Sequence, residues 1–306
     1  MKYKVIFFSF MLVTQSLLAV EFDSTRFDQA LKSLETNINC ASCKKEHVHL
    51  IKKAKMNERA IELKFLNILE SGPSTNRLLE YTTPASIQKV EDFMKEHHDG
   101  LCHAYQKTNV DPTVVTALMY METLFGSDAI PWFGAMDSIV SLAALEDEKF
   151  ASHVIEVLTP KMKIYKRYRE NPTKWNNYDW NARAKWIAAD WKKHLQAYLL
   201  IADLQRWPKQ KVLDMKSSWA GAIGYSQFMP ATALPYIKEQ KAIDFWQWPD
   251  SFLLTSMYLQ DEGFSNDTQK ALEAYNSPKW YRDTILHLSH IMRHKHPDFC
   301  LPKKTT

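Results

Sequence analysis

The chain has 306 residues, of which 24% are charged and 12% aromatic, and its formal net charge is +4. Loss of the first twenty residues would remove Lys2 and Lys4 and leave a charge of +2. So small a positive excess gives no reason to expect nucleic-acid binding. Glycine is scarce, with seven residues, and alternating β-branched runs are few, so the sequence predicts an all-α architecture.

Residues 1–20 have the layout of a secretory signal peptide. Lys2 and Lys4 precede an apolar run at residues 5–13, and Ser16-Leu17-Leu18-Ala19 follows it. The apolar run is too short for a transmembrane helix, and no cysteine lies near the expected cleavage site, so no membrane or lipoprotein anchor is indicated. The sequence therefore predicts an exported chain, periplasmic or secreted, with about 285 mature residues.

Residues 21–85 are predicted to form an N-terminal helical extension. It contains two or three polar helices, one of them over residues 46–70, and ends in the helix breakers of residues 71–74 and at Thr83-Pro84. The extension is a candidate docking or packing element. Residues 86–306 are predicted to form the main domain, whose first helix, over residues 86–107, should support the following helix from behind.

A helix over residues 112–125 carries the most informative acidic residue. Asp111 followed by Pro112 indicates a helix start, and Gly126 indicates a stop. One helix face is apolar except for its last member, and consists of Val115, Leu118, Met119 and Glu122. Desolvation at the edge of a core raises a glutamate pKa from about 4.3 toward roughly 6, which suits a general acid. The alternative is a solvent-exposed glutamate at a helix end.

Residues 218–230 form a second informative stretch, SWAGAIGYSQFMP, which is a poor amphipathic pattern. Its glycines, Gly221 and Gly224, allow a backbone or a sugar to approach closely. Its hydroxyl and amide groups suit a polar ligand, and belong to Ser218, Tyr225, Ser226 and Gln227. The alternative is a tight turn before a helix.

Five segments, taken in order, resemble the lytic murein transglycosylase B family. They are Val110-Asp111-Pro112, Met121-Glu122-Thr123, residues 136–143, residues 218–230 and Ala274-Tyr275-Asn276. The resemblance covers about residues 86–294, with a gap near 150–185, and we find none for residues 21–85. It implies a lysozyme-like helical fold with a substrate cleft between lobes, so that residues 86–306 are the catalytic domain. We expect a monomer that needs no cofactor.

The resemblance also implies a reaction and roles for single residues. Glu122 occupies the position of the family's only catalytic acid. Substrate-binding or acid-orienting candidates are Ser218, Tyr225, Gln227, Phe228, Tyr275 and Asn276. Among these, Ser218 and Tyr275 are expected to hydrogen-bond the Glu122 carboxyl. The implied reaction cleaves the β-1,4 bond between N-acetylmuramic acid (MurNAc) and N-acetylglucosamine (GlcNAc) in peptidoglycan and forms a 1,6-anhydroMurNAc end.

Two other functions remain open from the sequence. A hydrolytic muramidase would need a second carboxylate to direct water, for which Asp128 and Asp137 are candidates. Asp128 lies in the loop of residues 127–132, which departs from the family's usual residues after its glycine. A catalytically inert glycan-binding protein is the third possibility, although retention of Glu122 argues against it.

Residues 160–186 are rich in basic and aromatic residues and form an insertion relative to the family. Aromatic faces can stack on sugar rings, and basic groups can meet the carboxylates of peptide stems. An amphipathic helix with a solvated basic face and packed tryptophans would produce the same pattern. The sequence leaves both interpretations open.

Four cysteines in an exported chain predict two disulfides, with three possible connectivities. Cys40 and Cys43 could pair with each other, which would leave Cys102 and Cys300. Redox or zinc chemistry at the Cys40-Ala41-Ser42-Cys43 motif is the alternative.

No metal is expected. Some members of the family bind calcium shortly after the Gln-Phe-Met-Pro motif, but residues 237–242 of this chain lack alternating acidic ligands. His290 and His294 have the spacing of a zinc-binding pair, but no glutamate lies between them as in a metalloprotease. Solvated surface histidines are the simpler explanation.

Overall fold

The computed structural model describes residues 21–38, 40, 42–69, 77–127, 132–239 and 242–300. The predicted signal peptide lies outside this part of the chain. The helices are α1 (Ser24–Asn37), α2 (Lys45–Val48), α3 (Glu58–Leu66), α4 (Arg77–Tyr81), α5 (Pro84–Glu96), α6 (His98–Thr108), α7 (Pro112–Thr123), α8 (Ala135–Ala143), α9 (Glu148–Ile164), α10 (Lys166–Glu170), α11 (Pro172–Asn176), α12 (Trp180–Leu204), α13 (Lys209–Asp214), α14 (Pro230–Glu239), α15 (Trp248–Asp261), α16 (Thr268–Tyr275) and α17 (Lys279–Lys295).

The only sheet in the described residues is an antiparallel pair of two-residue strands, β1 (Phe133–Gly134) and β2 (Lys216–Ser217). The predicted all-α architecture is therefore confirmed. None of the helices in this part of the chain is long and apolar enough to cross a membrane.

Helix α7 lies at the centre of the main domain. Asp111 caps its first turn by accepting a hydrogen bond from the Thr113 amide, and Pro112 is the first helical residue, as predicted. All twelve residues of the helix are buried, because α5, α6, α15 and α17 pack around it. A helix that is enclosed on every side needs no polar face, so the predicted apolar stripe is only part of a larger buried surface.

Helix α7 ends at Thr123, two residues earlier than predicted. Leu124, Phe125 and Gly126 follow with φ values of 48°, 59° and 72°, so the left-handed turn begins before the glycine. This conformation is costly for residues with a Cβ atom. Packing holds it in place: the Phe125 ring is stacked on Phe93, with centroids 3.7 Å apart.

Two predicted helices are divided in the structure. The prediction of one helix over residues 46–70 is wrong, because Asn57 caps a new helix, α3, by accepting a hydrogen bond from the Ala60 amide. The helix predicted over residues 86–107 is interrupted at His97 and becomes α5 and α6. Both α5 and α6 pack against α7, so the predicted support from behind is confirmed.

The N-terminal segment packs into the same core as the main domain. Asn57 donates from its backbone to Ser141 and from its side chain to Ser138, both at 2.7 Å. The buried Lys64 ammonium lies 4.1 Å from the centre of the Trp191 ring, whose indole donates to the Ala220 carbonyl at 2.9 Å. The N-terminal segment is therefore a packing element, and through Trp191 it also supports the loop that contains Gly221.

The disulfides join Cys40 to Cys43 and Cys102 to Cys300, so no cysteine is free. This is the pairing in which the Cys40-Ala41-Ser42-Cys43 motif closes on itself. The described residues contain no group of three or more histidine, cysteine, aspartate or glutamate side chains suited to a metal.

Most aromatic residues of the basic segment at residues 160–186 are packing residues. Tyr168 and Trp175 are buried, and the Trp175 indole donates to the Arg167 carbonyl. Trp186 is different, because 52% of it is exposed and the Arg183 guanidinium lies over its ring at 4.8 Å.

Candidate active site

Glu122 is buried near the end of α7, with 7% of the residue exposed. Burial raises the pKa of its carboxyl well above the usual range, and a hydrogen bond from the Tyr281 hydroxyl partly opposes this rise. That bond reaches Oε1 at 2.5 Å. The outcome is a carboxyl that holds its proton to higher pH than an exposed glutamate, as a general acid requires.

Tyr281 donates the hydrogen bond to Glu122, and the sequence did not predict it. It lies on α17, which packs along α7, and it is fully buried. Burial and the neighbouring Glu122 raise the pKa of its phenol, so it remains a donor. The available signal was the Trp280-Tyr281 pair, five and six residues after Tyr275.

The short sheet brings the two halves of the site together. Phe133, shortly after α7, pairs with Ser217, directly before Ser218. Further bridges join Ser217 to Ile223 and Ile223 to Phe228, which folds residues 218–228 into a compact loop. The two stretches that the sequence singled out are therefore neighbours.

Glycine is required in this loop for two reasons. Gly221 and Gly224 have φ values of 93° and 71°. A Cβ atom on Gly221 would lie 2.3 Å from Ile139, and one on Gly224 would lie 2.1 Å from the Phe245 carbonyl oxygen. Gly126 faces Tyr225 in the same way, at 2.8 Å. The predicted close approach of backbone is confirmed at these positions.

Gly224→Ala should lower the free energy of unfolding by about 2–3 kcal/mol, because the new methyl group meets backbone and the residue keeps a left-handed φ. Gly263→Ala is the matched control: its φ is 85°, but nothing lies within 4 Å of its Cβ position. Urea unfolding gives the loss of stability in each variant. The difference between the two losses is the cost of the collision with Phe245, because both variants carry the cost of a left-handed φ. Equal losses would contradict the proposed collision.

Ser218 and Tyr275 do not make the hydrogen bonds that were expected. The Ser218 hydroxyl accepts from the Ala222 amide at 3.1 Å, and the Tyr275 hydroxyl donates to the Ser226 carbonyl. Both residues therefore shape the loop beside the acid. The expected hydrogen bonds from them to Glu122 are a wrong prediction, since Tyr281 provides the bond.

The other predicted residues surround this centre. Gln227 donates its side-chain amide to the Gly224 carbonyl at 2.7 Å, and the half-buried Tyr225 stacks on Trp248 with centroids 3.6 Å apart. Phe228 is fully buried, with its ring against Tyr275. These contacts show how the three side chains are held within the protein. Their direct contact with a ligand stays a prediction.

Two buried polar groups at the site have no hydrogen-bond partner within the described residues. They are the side-chain nitrogen of Asn276, which was predicted, and the Tyr258 hydroxyl, which was not. The Tyr258 ring packs against Tyr275 and Phe228. Because an unpaired buried polar group is costly, both are candidates to bind a polar ligand.

Of the two candidates for a second carboxylate, the structure describes only Asp137. Asp128 lies outside the described residues. Asp137 accepts a hydrogen bond from the Lys55 amide at 2.7 Å, so its side chain connects α8 to the N-terminal segment. Burial raises the pKa of Asp137, and this hydrogen bond opposes the rise.

Tyr281→Phe should lower turnover by about 10- to 100-fold, the value of a hydrogen bond to a charged group. The loss of a bond that lowers the Glu122 pKa should also move the alkaline limb of the pH–rate profile to higher pH. Tyr275→Phe is the matched control, because its hydroxyl contacts Ser226, and its alkaline limb should stay in place. A shift in the control alone would restore the role first expected for Tyr275.

The sequence of the chain also matches a known protein family. The sequence model of the Transglycosylase SLT domain matches residues 26–290. The chain belongs to this family. The match begins at residue 26, so the earlier finding that residues 21–85 resemble nothing in such proteins was wrong for most of that segment.

Similar proteins include a sequence relative and solved structures. The chain is 23% identical over 198 residues to the membrane-bound lytic murein transglycosylase B of Escherichia coli. The aligned residues are 64% of this chain and 43% of the relative. The chain therefore spans less than half the length of that curated relative. Soluble lytic transglycosylase SltB1 from Pseudomonas aeruginosa superimposes with a TM-score of 0.61 at 14% identity, covering 89% of this chain and 99% of SltB1.

A second structural neighbour is the Escherichia coli lytic transglycosylase Slt35, solved in complex with bulgecin A. Its TM-score is 0.61 at 15% identity, and the superposition covers 93% of this chain and 98% of that chain. SltB3 from Pseudomonas aeruginosa, solved in complex with NAG-NAM-pentapeptide, gives a TM-score of 0.55 at 18% identity over 78% of this chain and 53% of SltB3. The SLT-family chain shares their fold, and the predicted lysozyme-like helical architecture is confirmed.

Proposed function

We propose that this chain is a lytic transglycosylase that cleaves peptidoglycan glycan strands at MurNAc-β-1,4-GlcNAc bonds and leaves 1,6-anhydroMurNAc ends. The observation that carries the proposal is Glu122: in a chain of the SLT family, this buried carboxyl has a raised pKa and is held by Tyr281. A neutral carboxylic acid in a fixed orientation can protonate a glycosidic oxygen.

The proposed reaction needs one carboxyl, used twice. Glu122 gives its proton to the bridging oxygen as the bond from that oxygen to MurNAc C1 breaks, while the acetamido group of the same sugar stabilises the cationic carbon. The Glu122 carboxylate then takes the proton of the MurNAc 6-hydroxyl, whose oxygen bonds to C1. The acid is regenerated, and no water is consumed.

The number of available carboxylates favours this route over hydrolysis. Glycosidases that direct water generally use two carboxylates on either side of the bond. Asp137, one of the two candidates for the second role, is occupied by the Lys55 amide of the N-terminal segment. A hydrolytic muramidase is the second candidate function, with Asp128 as the residue to replace.

Mass spectrometry of products from purified murein tests the proposal. A transglycosylase releases fragments with anhydro ends, each lighter by one water than the reducing-end fragments of a muramidase. Products made in heavy-oxygen water add a second readout, because only hydrolysis incorporates solvent oxygen. Reducing ends that carry the label would overturn the transglycosylase assignment, and binding without products would leave an inert glycan-binding protein.

The cellular setting belongs to the same proposal. Export through a signal peptide to the periplasm or the medium agrees with the two disulfides, which form in oxidising compartments. The proposed partner is the peptidoglycan glycan strand, contacted by a monomer that uses no metal, no nucleic acid and no membrane anchor.

A further inference from the structure

Trp132 and Trp246 form an aromatic pair beside the proposed active site. Their rings meet edge to face, with centroids 4.8 Å apart and an interplanar angle of 82°. Both residues are partly exposed. Trp246 is fixed by a contact from its indole nitrogen to the Met215 sulfur at 3.4 Å and by a hydrogen bond from its amide to the Asp244 carboxylate at 3.0 Å.

The strand register places Trp132 next to Ser218. Phe133 pairs with Ser217 and Gly134 with Lys216, so Trp132, directly before β1, and Ser218, directly after β2, lie at the same end of the antiparallel pair. Trp132 is thus attached to the loop that contains the predicted site residues.

At its other side, the pair is continuous with Tyr225. The Trp246 ring meets Tyr225 edge to face, with centroids 5.3 Å apart. Tyr225 in turn contacts the backbone at Gly126, four residues after Glu122. The pair therefore adjoins both halves of the site.

Trp132 makes fewer contacts through its ring and its indole N–H than the buried tryptophans do. Within the described residues, Trp246 is its one aromatic neighbour, and its indole nitrogen makes no hydrogen bond. By contrast, Trp191 is completely buried and donates to the Ala220 carbonyl. A partly exposed ring whose N–H has no acceptor among the described residues combines an apolar face with a donor, as a sugar ligand requires.

We propose that Trp132 and Trp246 form a sugar-binding subsite that holds an N-acetylhexosamine ring of the glycan strand next to the bond cleaved at Glu122. This inference rests on the proposed function and adds to it. An aromatic face stacks on the C–H face of the sugar, and the Trp132 indole donates to a hydroxyl or acetamido oxygen.

Binding is measured in the Glu122→Gln background, so that the strand is not cut. The probe is a set of amidase-released murein glycan strands of two to eight sugars, titrated by calorimetry. Adding Trp132→Ala should weaken binding about tenfold, as is common for truncation of an aromatic anchor. Because the subsite adjoins the cleaved bond, two-sugar strands should show this loss as well as longer ones. Leu204→Ala is the matched control, since Leu204 is an exposed apolar residue at the end of α12, outside this group of contacts.

A second measurement does not depend on a truncated side chain. The indole N–H resonance that disappears in Trp132→Phe identifies the Trp132 signal, which should shift on addition of glycan strands to the Glu122→Gln protein. The signal of the buried Trp175, identified in the same way, should stay in place.

The outcomes separate the subsite from the function. Unchanged affinity of the Trp132→Ala protein at every length, with no shift of the Trp132 signal, would overturn the subsite while the function stands. Absence of glycan binding by the Glu122→Gln protein would overturn it as well. Failure of the proposed function appears elsewhere, as continued cleavage by Glu122→Gln or as labelled reducing ends.

Discussion

The Glu122→Gln variant should lose glycan cleavage and keep its fold. Glutamine has the shape of the neutral acid and can accept the hydrogen bond from Tyr281, but it cannot deliver a proton. The loss of general acid and base catalysis costs typically ~10²–10⁴-fold in rate. Release of soluble fragments from purified murein measures the rate, and thermal melting at acidic pH shows whether the fold is intact.

Glu96→Gln is the control, because Glu96 is an exposed glutamate at the end of α5. It should cleave murein at the wild-type rate. Substantial residual activity of the Glu122→Gln protein, with unchanged melting, would remove Glu122 from the mechanism.

The same variant should change the pH dependence of stability. Since the folded protein raises the Glu122 pKa, the neutral form is favoured on folding. This contribution is complete below the unfolded pKa of about 4.3 and is lost as the pH rises through the folded pKa. Glutamine does not titrate, so Glu122→Gln should become more stable than the wild type at alkaline pH. Parallel stability curves across this range would show that Glu122 titrates as an ordinary surface glutamate.

Replacing Cys102 and Cys300 together by serine should lower the free energy of unfolding by about 2–5 kcal/mol. The disulfide joins residues separated by 198 positions, and it therefore restricts the unfolded chain strongly. The paired control replaces Cys40 and Cys43, which are three positions apart and close only a small loop. Denaturant unfolding of the two double variants gives the comparison.

Thiol titration of the denatured, unreduced protein provides an independent check. Both disulfides predict no reactive thiol, whereas four would show that neither forms. A larger loss of stability from the Cys40 and Cys43 replacements than from the other pair would contradict the loop-length argument and give the short disulfide a specific role.

Local signals allowed much of the site to be predicted from sequence. The start of α7 follows from Asp111-Pro112, a pair whose effect does not depend on distant residues. The close approaches at Gly221 and Gly224 were also predictable, because glycines scarce elsewhere are concentrated there. The end of α7 was not predictable in this way, since Leu124 and Phe125 adopt left-handed angles only because distant rings such as Phe93 hold them.

The hydrogen-bond donor to Glu122 shows where sequence reasoning ends. Tyr275 and Tyr281 are both buried tyrosines near the acid, and the family motif favours Tyr275. Their assignment depends on how α16 and α17 approach α7 over a separation of 159 residues between Glu122 and Tyr281. No pattern within one helix contains that information.

The position of Tyr281 on α17 has a consequence for the time at which activity arises during synthesis. The ribosome makes Glu122 long before it makes α17, the last helix of the described chain. A nascent polypeptide that stops short of α17 possesses the acid but has neither its hydrogen-bond donor nor one of the helices that keep water away from it. The lytic capacity proposed for this protein therefore requires the chain through α17, and truncated products would carry Glu122 without its hydrogen-bond donor.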